Sequence, residues 1–325
     1  MRTDFFYHSC GEGMIHGCRW IPDGEVKAVV QIIHGIAEYA ERYDDFAAYL
    51  NGLGIAVVAE DHMGHGKSME TGIQGYFAGG WTAAVDDSYH LLQDTRAEFP
   101  DVPYVLFGHS MGSFMARSIL IRHPDSGIAG AVICGTGWMP DAVVSAGRCV
   151  CALVCRAIGE RNPSEQLQGM IFGSYNKRVE HPRTAYDWLS RDKKQVDAYI
   201  AHPHCGFTAS SGLLRDMLGG IAMIQKKENL AQMDQALPVL FVAGGDDPVG
   251  NYGSGVKRAG EEFRRIGMQD VTVKLFPLAR HEILNEINRT EVYKFVSDWM
   301  GAKLKKSVKS NINFGEITNL HKNWY

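Results

Sequence analysis

Gly108-His109-Ser110-Met111-Gly112 decides the reading of this chain, because it lifts a serine hydroxyl clear of the backbone at a strand-to-helix corner. Ahead of it lies the apolar run Tyr104-Val105-Leu106-Phe107, bracketed by Pro103 and Gly108, which predicts a short buried strand. Behind it, residues 113–123 carry Phe114, Ile119, Leu120 and Ile121 among Met, Ala and Arg, and predict a helix. So tight a corner crowds the serine, and glycines two residues before and after relieve the crowding. The amides just past the serine then sit at a helix N-terminus, where negative charge is stabilised.

Outward from that corner, strands and helices alternate. Residues 4–9 and 14–21 predict an N-terminal hairpin across Gly11 and Gly13, and residues 26–33 and 55–59 read as buried strands. Residues 42–53 and 81–99 predict helices that stop at Gly54 and Pro100. Residues 128–134, 238–243 and 271–276 are further strands, each followed by a helix. Such alternation means an α/β fold with a mostly parallel central sheet flanked by helices on both faces.

The alternation breaks over residues 137–233, which read as helical throughout with Pro163, Pro182 and Pro203 as punctuation. That is too long for an ordinary connection and predicts an inserted helical cap above the carboxyl ends of the strands. The expected division is a core of residues 1–136 and 234–301, the cap of 137–233, and a basic tail of 302–325 carrying Lys303, Lys305, Lys306 and Lys309. The tail reads first as a solvated segment. The sharper expectation is a transient contact with an anionic membrane surface, through the tail or the cap.

Composition excludes several classes. A net charge of −4 over 325 residues argues against a nucleic-acid partner. No window reaches the length of a membrane span, and Met1-Arg2-Thr3-Asp4-Phe5 lacks the apolar segment of a secretory signal. Seven cysteines, an odd number without scaffold spacing, fit free thiols in a reducing cytoplasm. Cys149, Cys151 and Cys155 do not form a C-x₂-C pair, and His202-Pro203-His204-Cys205 is a weak ligand set, so no metal is expected. No dinucleotide or phosphate-loop fingerprint appears in context, so no cofactor is expected either.

A serine nucleophile needs a base, and the base needs an orienting acid. After the strand at 238–243 comes Gly244-Gly245-Asp246-Asp247-Pro248, and after the strand at 271–276 comes Pro277-Leu278-Ala279-Arg280-His281-Glu282. Neighbouring side chains diverge, so only one aspartate can face His281. Asp247 is preferred because Pro248 biases it toward an extended conformation. Asp246 then becomes a turn residue. Of thirteen histidines, His281 is chosen by its place after the last strand. His109 should lie beside or beneath the serine, while His62 and His65 read as structural and Glu282 as a local hydrogen-bonding or surface group. The oxyanion of an acyl intermediate needs two N–H donors, expected from Met111 and from Ile36 after the early strand. Trp138, Met139, Val143, Val144, Ile171 and Phe172 either line an acyl pocket or pack inside the cap.

These residues resemble a known family. His34-Gly35-Ile36-Ala37-Glu38-Tyr39-Ala40-Glu41-Arg42-Tyr43 is similar to the HG-x-x-E-x-x-x-RY signature of the monoacylglycerol lipase and lysophospholipase branch of α/β-hydrolases, the serine aminopeptidase S33-like group. Residues 61–68 resemble its D-x-x-GHG-x-S loop, residues 108–113 its GHSMGS corner, residues 245–249 its acid loop, and His281-Glu282 with Asn285-Glu286 its histidine segment. Residues 186–192 and 199–207 are similar to its bacterial cap, with one departure: His202-Pro203 stands where the pattern has Asp-Pro, which puts a cap-to-core ion pair in doubt.

The resemblance covers roughly residues 5–300. It implies the α/β-hydrolase fold and a serine esterase acting on a lipid-like ester, a monoacylglycerol or lysophospholipid, with Ser110, Asp247 and His281 as triad and the Ile36 and Met111 amides as oxyanion donors. An S33-type aminopeptidase or amidase, and a catalytically silent binding module, are the alternatives.

Overall fold

The computed structural model describes residues 2–71 and 73–307. Eight strands form one sheet: β1 (Arg2–His8), β2 (Met14–Trp20), β3 (Ala28–Ile33), β4 (Ile55–Glu60), β5 (Tyr104–His109), β6 (Gly130–Cys134), β7 (Val239–Gly244) and β8 (Val271–Phe276). Their spatial order is β1-β2-β4-β3-β5-β6-β7-β8. The β1–β2 hairpin joins antiparallel through β4, and every pairing from β4 across to β8 is parallel. This is the α/β-hydrolase fold.

All residues of β3, β4, β5, β6 and β7 are buried, which is why each reads as an unbroken apolar run rather than an alternating one. Successive side chains point to opposite faces. Val29 and Ile33 join α2 (Gly80–Glu98), α3 (Met111–Arg122) and α9 (Ser254–Arg265) on one face, the helices between them being numbered below. Val30 and Ile32 join α1 (Asp44–Asn51) and α10 (Arg289–Ser307) on the other. Each fully buried Val, Leu, Ile or Phe contributes roughly 1.5–3 kcal/mol relative to exposure.

Between β6 and β7 run α4 (Asp141–Ile158), α5 (Glu165–Phe172), α6 (Lys193–Ala201), α7 (Ser211–Ile224) and the single turn α8 (Lys227–Leu230). Side chains cap three of them: Ser164 for α5, Asp192 for α6 and Ser210 for α7, each accepting from an amide of the first turn.

Two boundaries differ from the sequence expectation. Helix α7 buries Leu213, Leu214, Met217, Leu218 and Ile221 in the same cluster as α2 and α3, so the end of the insertion is part of the body's core and not of a separate cap. Helix α10 continues past 301 to Ser307, and Lys303 is no tail residue: its Nζ lies 2.6 and 2.7 Å from the Asp270 carboxylate oxygens. The tail from residue 308 onward lies outside the described residues. Among those described, no helix is long and apolar enough to cross a membrane.

Candidate active site

Five loops at the carboxyl ends of parallel strands meet at one place, the crevice where open α/β sheets bind ligands. Ser110 stands between β5 and α3 with φ of 53°, a left-handed conformation unusual for a non-glycine residue. Close approach explains the flanking glycines. A methyl on Gly112 would sit 2.0 Å from the Ile33 carbonyl oxygen, and one on Gly108 would sit 2.4 Å from that of Gly112. The Ser110 amide donates to the Cys134 carbonyl at 3.0 Å, pinning the corner to the end of β6.

Asp247, fully buried, follows β7, and His281, 2% exposed, follows β8. Nδ1 of His281 is 3.0 Å from Oδ2 of Asp247, though the pair is poorly aligned and neither atom has another hydrogen-bond partner among the described residues. Such looseness is common where no substrate is bound. The other Asp247 oxygen accepts from the Val249 amide at 2.8 Å, which fixes the carboxylate. Burial by itself would lower the His281 pKa, but the charge of Asp247 outweighs it, with Glu282 and Glu38 adding to the effect, and holds the imidazole above its ordinary value. Asp246 is exposed, and its amide donates to the Ala279 carbonyl, as a turn residue would.

The Ile36 and Met111 amides have no hydrogen-bond acceptor among the described residues. Three contacts place the Gly35–Ile36 peptide. The His62 amide donates to Nε2 of His34 at 3.1 Å, so Nδ1 of His34 carries the proton it donates to the Gly35 carbonyl at 2.7 Å. The Gly35 amide donates to Oε1 of Glu38 at 2.5 Å. A methyl on Gly35 would come 3.0 Å from Cβ of Ser110, so this peptide borders the serine.

Beneath the serine lies a buried polar network that joins residues of the 34–43 stretch to Glu282. Arg42 reaches Glu38 at 2.8 Å and grips both oxygens of Glu282 at 2.6 and 2.7 Å, while Tyr43 donates to Glu38 at 3.1 Å. Burial raises the Glu38 carboxyl. Glu282 is buried too, yet the bidentate Arg42 overrides that penalty and holds it below its ordinary value. Glu282 accepts the expected local hydrogen bond, from Asn285 at 3.1 Å, but is a buried ion-pair partner rather than a surface group, and it ties the histidine loop to the loop after β3. His109 fits under the site: its ring is 4.7 Å from that of His281, and burial followed by the neighbouring His281 lowers its pKa. His62 and His65 are structural as expected, accepting from or donating to no group of the cavity; their rings pack with His34 and bond the His34 and Met63 carbonyls.

Above the serine is a cavity of about 200 Å³ whose wall includes Ser110, His281, Ile36, Phe172, Tyr186, Trp188, Tyr199 and Phe207. Of the six pocket residues expected from sequence, Phe172 alone lines it. Trp138 lies under the Arg117 guanidinium at 5.5 Å, and the Met139 backbone is clasped by the Gln225 side chain at 2.9 and 2.8 Å. Val144 is buried in the core, Val143 is 51% exposed, and Ile171 packs against the core outside the cavity. Residues 186–192 are laced to the histidine loop instead. His281 and Glu282 donate their amides to the Trp188 and Leu189 carbonyls, Arg280 bonds the Asp187 and Ser190 carbonyls, and Arg191 pairs with the fully buried Glu286 at 2.9 Å. Arg289 adds an ion pair to Asp192 at 3.3 Å. Cap-to-core ion pairs are thus present despite His202, whose ring stacks on Tyr39 at 4.4 Å.

Comparisons with known proteins place the chain in a family. The model of the family described as serine aminopeptidase, S33, matches residues 24–288. The chain belongs to that family. It is 28% identical over 297 residues to a monoacylglycerol lipase of Mycolicibacterium smegmatis, covering 88% of this chain and 92% of the relative. It is 26% identical over 299 residues to the monoglyceride lipase of Mus musculus, covering 90% and 89%. Among solved structures it is similar to a thermostable carboxyl esterase of Bacillus coagulans in complex with glycerol, with a TM-score of 0.87 and 27% identity over 93% of this chain and 99% of that one. In the S33 family frame, the Glu38–Arg42–Tyr43 network is what the HG-x-x-E-x-x-x-RY stretch builds.

Proposed function

We propose that this S33-family chain hydrolyses carboxylic esters of lipid-like alcohols, monoacylglycerol or lysophospholipid in kind, through an acyl-enzyme on Ser110. The protein is an ester hydrolase. His281 takes the proton of the Ser110 hydroxyl as it attacks the ester carbonyl, then gives it to the leaving alcohol. Asp247 holds Nδ1–H and stabilises the imidazolium. The Ile36 and Met111 amides receive the oxyanion, at a helix N-terminus already favourable to negative charge. Water, activated by the same imidazole, then hydrolyses the acyl-enzyme.

The observation that carries this reading is the contact of buried His281 with buried Asp247 on the wall of the cavity that holds Ser110. The roof, with Phe172, Trp188, Leu189 and Phe207, suits an acyl chain, each buried CH₂ contributing about 0.8 kcal/mol. An aminopeptidase would need a free carboxylate for the substrate's α-amine. Glu38 and Glu282, the carboxylates on this wall, are committed to Arg42 and the Gly35 amide. The seven free cysteines suit a reducing compartment, and we place the protein in the cytoplasm.

Ser110→Ala should lower ester turnover by about 10⁶ with the fold intact, measured on p-nitrophenyl esters of graded chain length and on glycerol esters and lysolipids. Near-parental activity in that variant overturns the covalent route. Faster cleavage of aminoacyl anilides than of esters overturns the substrate class.

A further inference from the structure

The β1–β2 hairpin gathers a second cluster of chemistry-bearing side chains, on the far side of the loop after β4 from the cavity. Asp4 and Cys18 are cross-strand partners in the hairpin register, His16 lies two residues along the same face as Cys18, and Glu41 reaches in from the turn before α1. One donor atom from each of the four lies within 4.8 Å of every other. We propose that Asp4, His16, Cys18 and Glu41 form a binding site for a zinc-type divalent metal ion.

Three observations carry this. The spacing approaches that of a coordination polyhedron: Nε2 of His16 is 3.4 Å from Oδ2 of Asp4, Sγ of Cys18 is 3.7 Å from Oδ1 of Asp4, and Sγ is 4.0 Å from Nε2. Metal–ligand lengths of about 2.0–2.3 Å put the donors of a tetrahedral zinc site roughly 3.3–3.8 Å apart. The two softer ligands are fully buried and the two carboxylates part-exposed, and binding draws the four donors, no more than 4.8 Å apart, inward.

The histidine is also prepared from behind. Its Nδ1 lies 2.7 Å from Oδ2 of buried Asp61, whose carboxylate is itself fixed by the Ala40 and Lys67 amides at 2.8 and 2.9 Å. A carboxylate can only accept, so Nδ1 carries the proton and Nε2 is the atom left to face Asp4 and Cys18. Carboxylate behind histidine behind metal is the arrangement that orients ligand histidines.

Finally, the site already holds a cation of its own. The Lys67 ammonium bridges Asp4 at 2.8 Å and Glu41 at 2.6 Å, with Arg2 at 3.7 and 3.5 Å from the same two carboxylates. Lys67 is about one-third exposed at its side chain and can swing into water. The metal displaces the lysine. Cys18 binds as the thiolate, its proton passing to solvent. Positions 4, 16, 18 and 41 share no ligand spacing, so no motif announces the cluster.

The test is a titration of the full chain, thiols reduced, with Co²⁺ followed by Zn²⁺. One equivalent of Co²⁺ should produce thiolate-to-cobalt charge-transfer absorption, and Zn²⁺ should abolish it. Cys18→Ser should remove the absorption, and His16→Gln should weaken binding at least 10-fold. Lys67→Met, a change at a part-exposed side chain that spares the buried ligands, should tighten binding several-fold. No charge-transfer absorption in the parent overturns the site. So does absorption that survives Cys18→Ser, which puts the metal on another thiol, or weaker binding in Lys67→Met. Ester hydrolysis is read from a separate cavity, so its failure would leave these outcomes unchanged.

Discussion

Two parts of the insertion, α4 with α5 and residues 186–192, are held to the body differently, and the cavity is lined by α5 and by residues 186–189 but not by α4. Helix α4 is held by apolar packing against the body, while α5 adds its Ser164 cap and the bonds of the Gln168 side chain to the Phe207 carbonyl and the Ala209 amide. Of the 18 residues of α4 only Val144 and Cys151 are buried, while Val143, Leu153 and, on α5, Met170 are half or more exposed. Residues 186–192 are instead stitched by directional bonds to the loop that carries His281, through Arg280, Arg191, Glu286 and two backbone pairs. Apolar contacts are non-directional and tolerate sliding, whereas a lattice of hydrogen bonds to buried charge does not. The insertion thus has a side packed mainly through apolar contacts and a side that doubles as scaffolding for the loop carrying His281.

Substitutions can break that contrast. The largest effect belongs to the partner of the histidine on the stitched side. Asp247→Asn should lower kcat by about 10⁴ and leave the melting temperature nearly unchanged. It should also move the pH profile. His281 works as a base only when neutral, and Asp247 raises its pKa against the effect of burial, so parental kcat/KM should climb with pH through an acid limb above about 6.5. In Asp247→Asn the effect of burial stands with less opposition and the limb should shift to lower pH.

Next comes Glu286→Ala. It strips Arg191 of its partner and leaves the Arg280 and Arg191 amides without their acceptor, so it should destabilise the fold by about 3 kcal/mol in denaturant titration. It should lower kcat as well, because the loop beneath His281 loosens. The smallest change is on the sliding side: Val144→Ala should cost about 1–2 kcal/mol of stability, with kcat on short esters altered less than twofold. Equal kcat losses in the two variants would erase the distinction between the sides.

The same contrast separates what was legible in the sequence from what was not. Ser110, Asp247 and the Ile36 peptide each follow a strand buried on both faces, His281 follows the part-buried edge strand β8, and all four strands read as short runs rich in apolar residues. Their ends are therefore placed to within a residue or two. Pro248 after Asp247 even ranked the adjacent aspartates, of which one is buried and one exposed. Cap side chains carry no such marker. Which face of α4 turns inward is settled by α7 and by Arg117, so Trp138, Met139, Val143, Val144 and Ile171 were attractive from hydrophobicity and yet lie outside the cavity. Tyr186, Trp188 and Phe207, which do line it, sit in stretches quoted for their likeness to the family cap, with nothing local to aim them. Glu282 looked like surface because its partner, Arg42, is 240 residues away in the chain. Lys303 looked like tail because its partner Asp270 lies before β8.

The most direct measurement is fluorophosphonate labelling of the folded chain with peptide mapping. A single phosphonyl adduct on Ser110, absent from His281→Ala, is the predicted result. No adduct on folded protein, or an adduct on another residue, would contradict the serine, histidine and aspartate assembly.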